Sequence, residues 1–443
     1  MTVATVSPNL TRPRLLMLLD DPVDSRIERE ATSLTQAGYA VHILSSHFWK
    51  PTDPLRETLP FAELSRACLP QTPGQWPAFW MFPPSRLLSR GVLRNVCKRL
   101  TQVDPPWLTA AIQAIDALRP QLLHVHDLKL VPLGVLLSER YGLPLVADIH
   151  ENYPALVESY RQLYGKDGRS ARRLWERVER EILPKATHIL PVSLEMWDHF
   201  QRLGIPAAQM TLVPNTVNLQ KFEHPTIQPV LPPEALNKFV FGYVGLIDAP
   251  HRGIHLLLEA FGQNRAAMPN AFLLLAGIVN DQYRPQLDAI IERYDLQAHV
   301  HFTGWINESE FPSHIAACQV CVAPSTRNEA IFGIHTKLYV YHLFQKPILA
   351  SSVGPNARYI QESQGGVVFE AEDVADLGRH MVAMYQDPQG CQHWGEQGQR
   401  AVRERFNWSV TERDLIHAYR QLLPLPPSTM QPPALVAQAE HSL

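Results

Sequence analysis

The sequence predicts an α/β protein built from two consecutive parallel-sheet domains, and three observations predict it. Short apolar runs closed by polar turns recur along the chain and alternate with stretches of helical periodicity, the pattern of βαβ crossovers. The chain has 443 residues, 45% of them hydrophobic, enough for two domains each with its own core. Near the middle, residues 223–237 carry Pro225, Pro229, Pro232 and Pro233 and read as an interdomain linker.

Composition excludes several classes. A net charge of −3 offers no global attraction to nucleic acid. The five cysteines are scattered; Cys318 and Cys321 form one C-x-x-C beside a strand with no second pair, so they read as core residues and not as a zinc or redox site. The run LLMLL at 15–19 is too short for a signal peptide, and no apolar run is long enough to span a bilayer, so the expectation is a cytoplasmic enzyme.

The first domain is expected over residues 13–222, after a polar, disordered segment at 1–12. Arg14–Leu19 is a buried strand. The turn DDPVDSR leads to a helix over Arg26–Ala37, with Asp24 and Ser25 as cap candidates, Gly38 as its stop and Ala40–Leu44 as the next strand. This βαβ unit lacks G-x-G-x-x-G, which argues against a nicotinamide dehydrogenase. Arg26 has two readings, a contact to an anionic acceptor or a surface arginine. Residues 47–110 interrupt the alternation as an insert. Within it Arg86, Arg90, Arg94 and Lys98 recur at intervals of four beside Leu87, Leu88 and Val92. They form one basic stripe on a helix, suited either to an anionic membrane surface or to a solvated helix packed on its own domain. The sheet pattern returns at Pro120–Val125 and Leu145–Ile149. These strands end in His126-Asp127 and His150-Glu151, at the carboxyl ends where open α/β sheets bind ligands, so Asp127, His150 and Glu151 are the catalytic candidates. A charged helix at 169–183, a strand at Thr187–Pro191 and a helix ending at Gly204 follow.

The second domain is expected over 238–405. Its strand Phe239–Gly245 is followed by the loop LIDAPHRG and the helix Ile254–Phe261. Phe272–Ala276, His299–Phe302, Val320–Ala323 and Ile348–Val353 read as further strands, and Thr336–Phe344 as a buried helix. His335 and Lys337 stand at the start of that helix, where the macrodipole disfavours cations by a few tenths to about 1 kcal/mol. Either an anion also sits at this helix end, or Lys337 points to solvent. A helix from Phe406 to about Leu423 precedes a proline-rich tail, 424–443, expected to be disordered.

The wording KLYVYHLFQKPILAS resembles the donor-site segment of retaining glycosyltransferases of the GT-B fold, broadly family 4, in which a helix of the type K-L-F-E-Y-M-A-x-G-K-P follows the donor loop. HVHD with GLPLVADIHENYP, MTLVPNTVNLQKF and GGVVF at 365–369 are similar to other segments of that family in the same order. The resemblance implies two Rossmann-like domains facing a cleft, with the last helix (406–423) crossing back to the first domain. It implies transfer of a sugar from a nucleotide-diphosphate donor to an acceptor hydroxyl, with retention and without metal or other cofactor. The acceptor is unnamed, lipid-linked or polysaccharide, with an anionic membrane surface as a candidate partner and the inner face of the plasma membrane as a candidate location. It places Arg252, before Gly253, and Lys337 on the donor diphosphate, and His150 beside the transferred sugar. Trp305 and Ile306 fall at the nucleotide base, and Gly245, Gly333 and His335 join the donor site. The family's Glu, seven residues, Glu pattern falls on Phe332 and Val340, neither acidic; Glu329 is the nearest carboxylate to the first position. Two rival readings stand: a non-catalytic relative using the same cleft for binding or assembly, and a GT-B epimerase or sugar-nucleotide hydrolase.

Overall fold

The structure, a computed structural model, describes residues 12–20, 23–45, 66–68, 103–163, 167–328 and 332–426. They form two compact units. Each contains a six-stranded sheet. The first unit comprises the chain up to Ile149, Arg177–Leu190 and the chain from Asp414 on. Its sheet runs β3-β2-β1-β4-β5-β6, with β1 at Arg14–Leu19, β2 at Ala40–Ser45, β3 at Arg66–Cys68, β4 at Leu122–His126, β5 at Leu145–Ile149 and β6 at His188–Pro191. The strands read as continuous apolar runs because a parallel sheet is covered on both faces; Leu15 to Leu19 are all buried. Asp24 caps the helix Ser25–Gln36, its carboxylate accepting from the backbone N–H of Arg26 and Ile27.

The stretch 47–110, expected as an insert, contributes to this sheet. Arg66–Cys68 pairs in parallel with β2, from Ile43↔Arg66 to Ser45↔Cys68, and the helix Pro105–Leu118 begins inside the stretch. A three-residue edge strand is too short to leave an alternating or apolar signature.

The second unit comprises His150–Glu176 and Pro191–Arg413. Its sheet runs β12-β11-β10-β7-β8-β9, with β7 at Phe239–Val244, β8 at Ala271–Ala276, β9 at Val300–Gly304, β10 at Val320–Ala323, β11 at Ile348–Ser351 and β12 at Gly366–Phe369. Every neighbouring pair is parallel. Cys318, Cys321 and Cys391 are buried free thiols. Cys318 fills the space over Gly242, where a Cβ would stand 2.0 Å from its sulfur.

In both sheets the order reverses between two neighbours, β1 and β4 in the first and β7 and β10 in the second. Loops leaving the carboxyl ends of such a pair diverge to opposite faces and open a crevice for ligand. Among the described residues no helix is long and apolar enough to cross a membrane.

Candidate active site

The crevice of the second unit gathers basic groups. Gly253 adopts φ 73°, and a Cβ there would stand 1.7 Å from the Pro324 carbonyl oxygen. Only glycine lets the turn Pro250–Arg252 press against the end of β10. Thr326 N–H donates to the His251 carbonyl at 3.0 Å and joins the two loops. Arg252 is thereby fixed, and its Nε donates to Asp248 Oδ1 at 2.8 Å and its Nη2 to Oδ2 at 3.4 Å. Burial opposes both charges, yet the bond between them holds the guanidinium pKa above its ordinary value and the carboxyl below its own.

Lys337 is the second residue of the helix Thr336–Leu343, whose first turn contains no acidic side chain. Its Nζ lies 3.6 Å from the centre of the Tyr243 ring, a cation–π contact. Its stem runs beside Gly245, where a Cβ would stand 3.6 Å from Lys337 Cδ. The ammonium is therefore turned inward and not to bulk solvent. Burial, and then the Arg252 charge, push its pKa well down. His335, with Nδ1 3.3 Å from Asn356 Nδ2, is pushed down to about 3 by burial and by Lys337, Arg252 and His251. His251 is lowered by burial and then by Arg252. Among the described residues, Arg252, Lys337 and two imidazoles thus gather at the ends of β7 and β10 with the Asp248 carboxylate, and the Glu151 charge also acts on Arg252. Such a constellation stabilises a bound polyanion.

The remaining donor-site candidates divide. Trp305 is 68% exposed just after Gly304, which has φ 72°, while Ile306 is partly buried. A Cβ on Gly333 would stand 3.7 Å from Val192. Phe332 is partly buried, its ring 5.6 Å from that of His199. Val340 is buried in the core cluster that also holds Leu338 and Tyr341, so this position of the helix offers apolar surface. Glu329 and the stripe Arg86, Arg90, Arg94 and Lys98 lie outside the described residues.

In the first unit, Asp127 closes β4 with φ 65° and ψ 153°, a region that glycine alone occupies readily. Its N–H donates to the Asp148 carbonyl at 2.8 Å, and its own carbonyl accepts from Leu130 N–H at 3.1 Å. Since such a conformation costs on the order of 1–3 kcal/mol, Asp127→Gly should raise the melting temperature. If the carboxylate serves the reaction, the same variant lowers turnover. A variant that is destabilised would show that the side chain's contacts outweigh the strain. His150 and Glu151, which follow β5 directly, belong to the second unit; the first is half-buried and the second exposed.

Arg26 is neither an acceptor contact nor a surface residue. It is 1% exposed. Its Nε and Nη2 donate to Asp148 at 3.0 and 2.7 Å, and Nε stands 3.0 Å from Glu30 Oε1. Burial opposes the charge, but Asp148 and Glu30 hold its pKa above the ordinary arginine value. An arginine in the first turn of an amphipathic helix ordinarily faces water, so nothing local marked it as internal. The matching signal was dispersed: Glu30 lies four residues on, and His124, His126 and Asp148 sit on one face of paired strands, His126 opposite Asp148.

Two family models match the chain, the glycosyl transferase 4-like domain over residues 23–216 and the glycosyl transferases group 1 over residues 231–401. A glycogen synthase of Mycobacterium tuberculosis is 22% identical over 329 residues, covering 73% of this chain and 74% of its own. A phosphatidyl-myo-inositol mannosyltransferase of Mycobacterium leprae is 26% identical over 220 residues, 49% of this chain and 54% of its own. Among solved structures, sucrose-phosphate synthase of Thermosynechococcus elongatus superposes with TM-score 0.69 at 20% identity, covering 93% of this chain and 99% of that one. HepE of Anabaena, solved with UDP, superposes with TM-score 0.68 at 15% identity, covering 92% and 100%.

Proposed function

The chain belongs to the GT-B glycosyltransferases of the group 1 and 4-like type, and from that premise we propose that it transfers a glycosyl unit from a nucleoside-diphosphate sugar to an acceptor hydroxyl with retention, no metal ion or cofactor taking part in the transfer. The observation that carries this reading is the convergence of Arg252, Lys337 and the N-terminus of the helix Thr336–Leu343 at the crevice of the second sheet. As the bond from the sugar to the diphosphate breaks, negative charge grows on the leaving oxygen. Two cations and a helix end already oriented toward it favour that charge without reorganisation. They supply what a bound divalent ion supplies in other transferases. The solved structures of HepE with UDP and with UDP-glucose support a nucleoside diphosphate as the leaving group.

On the acceptor side we place His150 against the reacting sugar, with Glu151 beside it, and keep Asp127 as a further catalytic candidate. The mannosyltransferase and glycogen synthase relatives, together with the basic stripe at 86–98, support a lipid-linked or polysaccharide acceptor met in the cytoplasm, at an anionic membrane surface. A thermal-shift screen against UDP, GDP, ADP and CMP sugars tests the donor, because a ligand of the folded state raises its stability by mass action. The cognate sugar should raise the melting temperature, and the transfer rate should not rise with added magnesium or manganese. His150→Ala should then lower turnover more than donor affinity. Equal loss of stability and activity would reassign His150 to the core.

A second reading, a relative that binds the donor without turning it over, draws on Phe332 and Val340, which stand where the family's pattern has carboxylates. Valine accepts no hydrogen bond from the donor ribose. A hydrogen bond to a charged group contributes about 1.5–3 kcal/mol, so its loss weakens the donor roughly 10- to 100-fold. Modest donor affinity and poor discrimination against a 2′-deoxyribose donor are therefore expected. Tight binding with strong rejection of the deoxy donor would show that another residue holds the ribose.

A further inference from the structure

The helix that carries Lys337 is fastened to β7 by a second side chain. Successive residues of a strand inside a parallel sheet send their backbone N–H and C=O to opposite neighbours. Phe239 N–H donates to the Asn270 carbonyl at 2.9 Å and Gly245 N–H to the Ala276 carbonyl at 2.8 Å, so the odd-numbered residues of this stretch face β8. The even-numbered ones face β10, as the Val240 carbonyl shows by accepting from Gln319 N–H at 2.9 Å. Pairing with β10 covers Val320↔Phe241 and Cys321↔Gly242, while pairing with β8 runs on to Val244↔Ala276. The N–H and C=O of Val244 therefore point to the side on which the β10 pairing has ended, where the sheet opens into the crevice.

Tyr341 fills that place. Its hydroxyl accepts from Val244 N–H and donates to the Val244 carbonyl, both at 2.9 Å. A phenol hydroxyl has one proton to give and lone pairs to accept with, so a single oxygen satisfies both groups. Val244 and Tyr341 are both buried, so bulk water does not compete for the two bonds. Burial pushes the Tyr341 pKa well up, and the hydroxyl keeps the proton it donates. Tyr339, two residues earlier on the same helix, is buried as well, but its hydroxyl has no hydrogen-bond partner among the described residues. The paired bonds of Tyr341 thus belong to its position and not to any tyrosine on this helix.

The grip falls between the two residues that touch Lys337. Tyr243 lies under the ammonium, its ring centre 3.6 Å from Nζ, and its own hydroxyl donates to the Leu246 carbonyl at 2.9 Å. At Gly245 a Cβ would stand 3.6 Å from Lys337 Cδ and 3.8 Å from Nζ. Lys337 and Tyr341 are four residues apart on the helix Thr336–Leu343, so they lie on one face, one above the other. The helix thus meets three consecutive residues of this stretch with two side chains. Apolar packing holds a helix against a sheet without direction. Two hydrogen bonds at one oxygen are directional, and they set the height and rotation of the helix against β7.

We propose that Tyr341 is a positioning residue for the transfer: by holding the β10-facing groups of Val244 it sets the helix against β7 and so places the Lys337 ammonium at the leaving diphosphate. This rests on the reading of Lys337 as a diphosphate ligand. Tyr341 acts through Lys337 and not on the substrate. A group that must meet a developing charge is sensitive to placement, and a shift of about 1 Å can lower turnover on the order of 10²-fold.

The test is a double-mutant cycle in the full chain, with UDP-glucose, GDP-mannose and ADP-glucose as donor probes and release of the nucleoside diphosphate as the rate. Tyr341→Phe keeps the ring and removes both bonds. It should lower kcat about 10- to 100-fold while donor KM changes by less than about threefold. In the Lys337→Met background the same change should lower kcat by less than about twofold, because the group it positions is gone. The same full factor in both backgrounds would mark Tyr341 as merely structural and overturn the proposal. Tyr339→Phe should leave kcat unchanged, and a loss there equal to that of Tyr341→Phe would overturn it too, as a general loosening of the helix. A further measurement needs no variant: in the unmodified protein Val244 N–H should exchange with solvent deuterium as slowly as the interior of the sheet. Exchange as fast as in an exposed loop would mean that Tyr341 does not hold β7, and the proposal would fall. If Lys337→Met itself leaves the release rate unchanged, the donor-site reading fails and the proposal with it, an outcome the cycle separates from the others.

Discussion

Lys337→Met should remove most of the transfer activity and, at the same time, make the ligand-free protein more stable. The methionine keeps the apolar stem beside Gly245 and loses only the ammonium over Tyr243. Removing one preorganised donor from a developing anion typically lowers turnover by about 10²–10³. Arg252→Ala should lower donor affinity and turnover by a similar order, through loss of a fork that phosphate oxygens share. The stability effect has the opposite sign. Burial and Arg252 set the Lys337 pKa well below its unfolded value. Between the folded and unfolded pKa the unfolded chain binds more protons, so the lysine's cost to stability shrinks as pH rises through that window. The melting temperature of Lys337→Met should therefore exceed that of the unmodified protein most on the acid side, and the difference should fade toward alkaline pH. A bound diphosphate restores the lysine's charge, so donor binding near and above the depressed pKa should take up a proton, visible in calorimetry across buffers of different ionisation enthalpy. Nucleotide binding unchanged in both Lys337→Met and Arg252→Ala, with folding intact, would remove these residues from the donor site.

Arg26→Met should have the largest effect on stability with the least on donor affinity. It leaves Asp148 and Glu30 buried without their guanidinium. Breaking such a pair by removing one partner costs about 3–5 kcal/mol, a fall on the order of 10 °C for a domain of this size. In the variant the two carboxyls lose the charge of Arg26, so ionising them in the fold costs more than in the unmodified protein. The deficit is therefore largest where both are ionised and shrinks as pH falls and they protonate. The deficit against the unmodified protein should accordingly be smaller in mildly acid solution than at neutral pH. A loss under about 1 kcal/mol, independent of pH, would mean that water or a relaxed core takes over the role of Arg26.

Much of the second unit's basic crevice was legible in the sequence. The charge of Lys337 at a helix start and the Arg252-Gly253 step after a buried strand are local facts, and both groups meet at one crevice. Asp248 was legible only as an acid where a second basic residue was expected. That it occupies the Arg252 fork depends on a four-residue turn whose shape Gly253 and Pro324 set together. Arg66–Cys68 went unread because pairing with β2, and no property of three residues, makes it a strand. Arg26 was misread because burial is decided by what covers a helix face, here the imidazoles and Asp148, which lie about a hundred residues further along.

By itself the sequence determined the α/β class, nearly every described strand and the two basic residues, Arg252 and Lys337, that meet at the second unit's crevice. Apolar runs, periodicity and helix-end charge are near-neighbour properties, written in windows of a few residues. Tertiary structure alone decided which charges face inward. The chain could not reveal that Arg26, Glu30, His124, His126 and Asp148 share one dry layer, nor that Tyr243 lies beneath the Lys337 ammonium. Whether a polar group is solvated or enclosed depends on the elements folded over it, and desolvation sets the sign and size of its contribution.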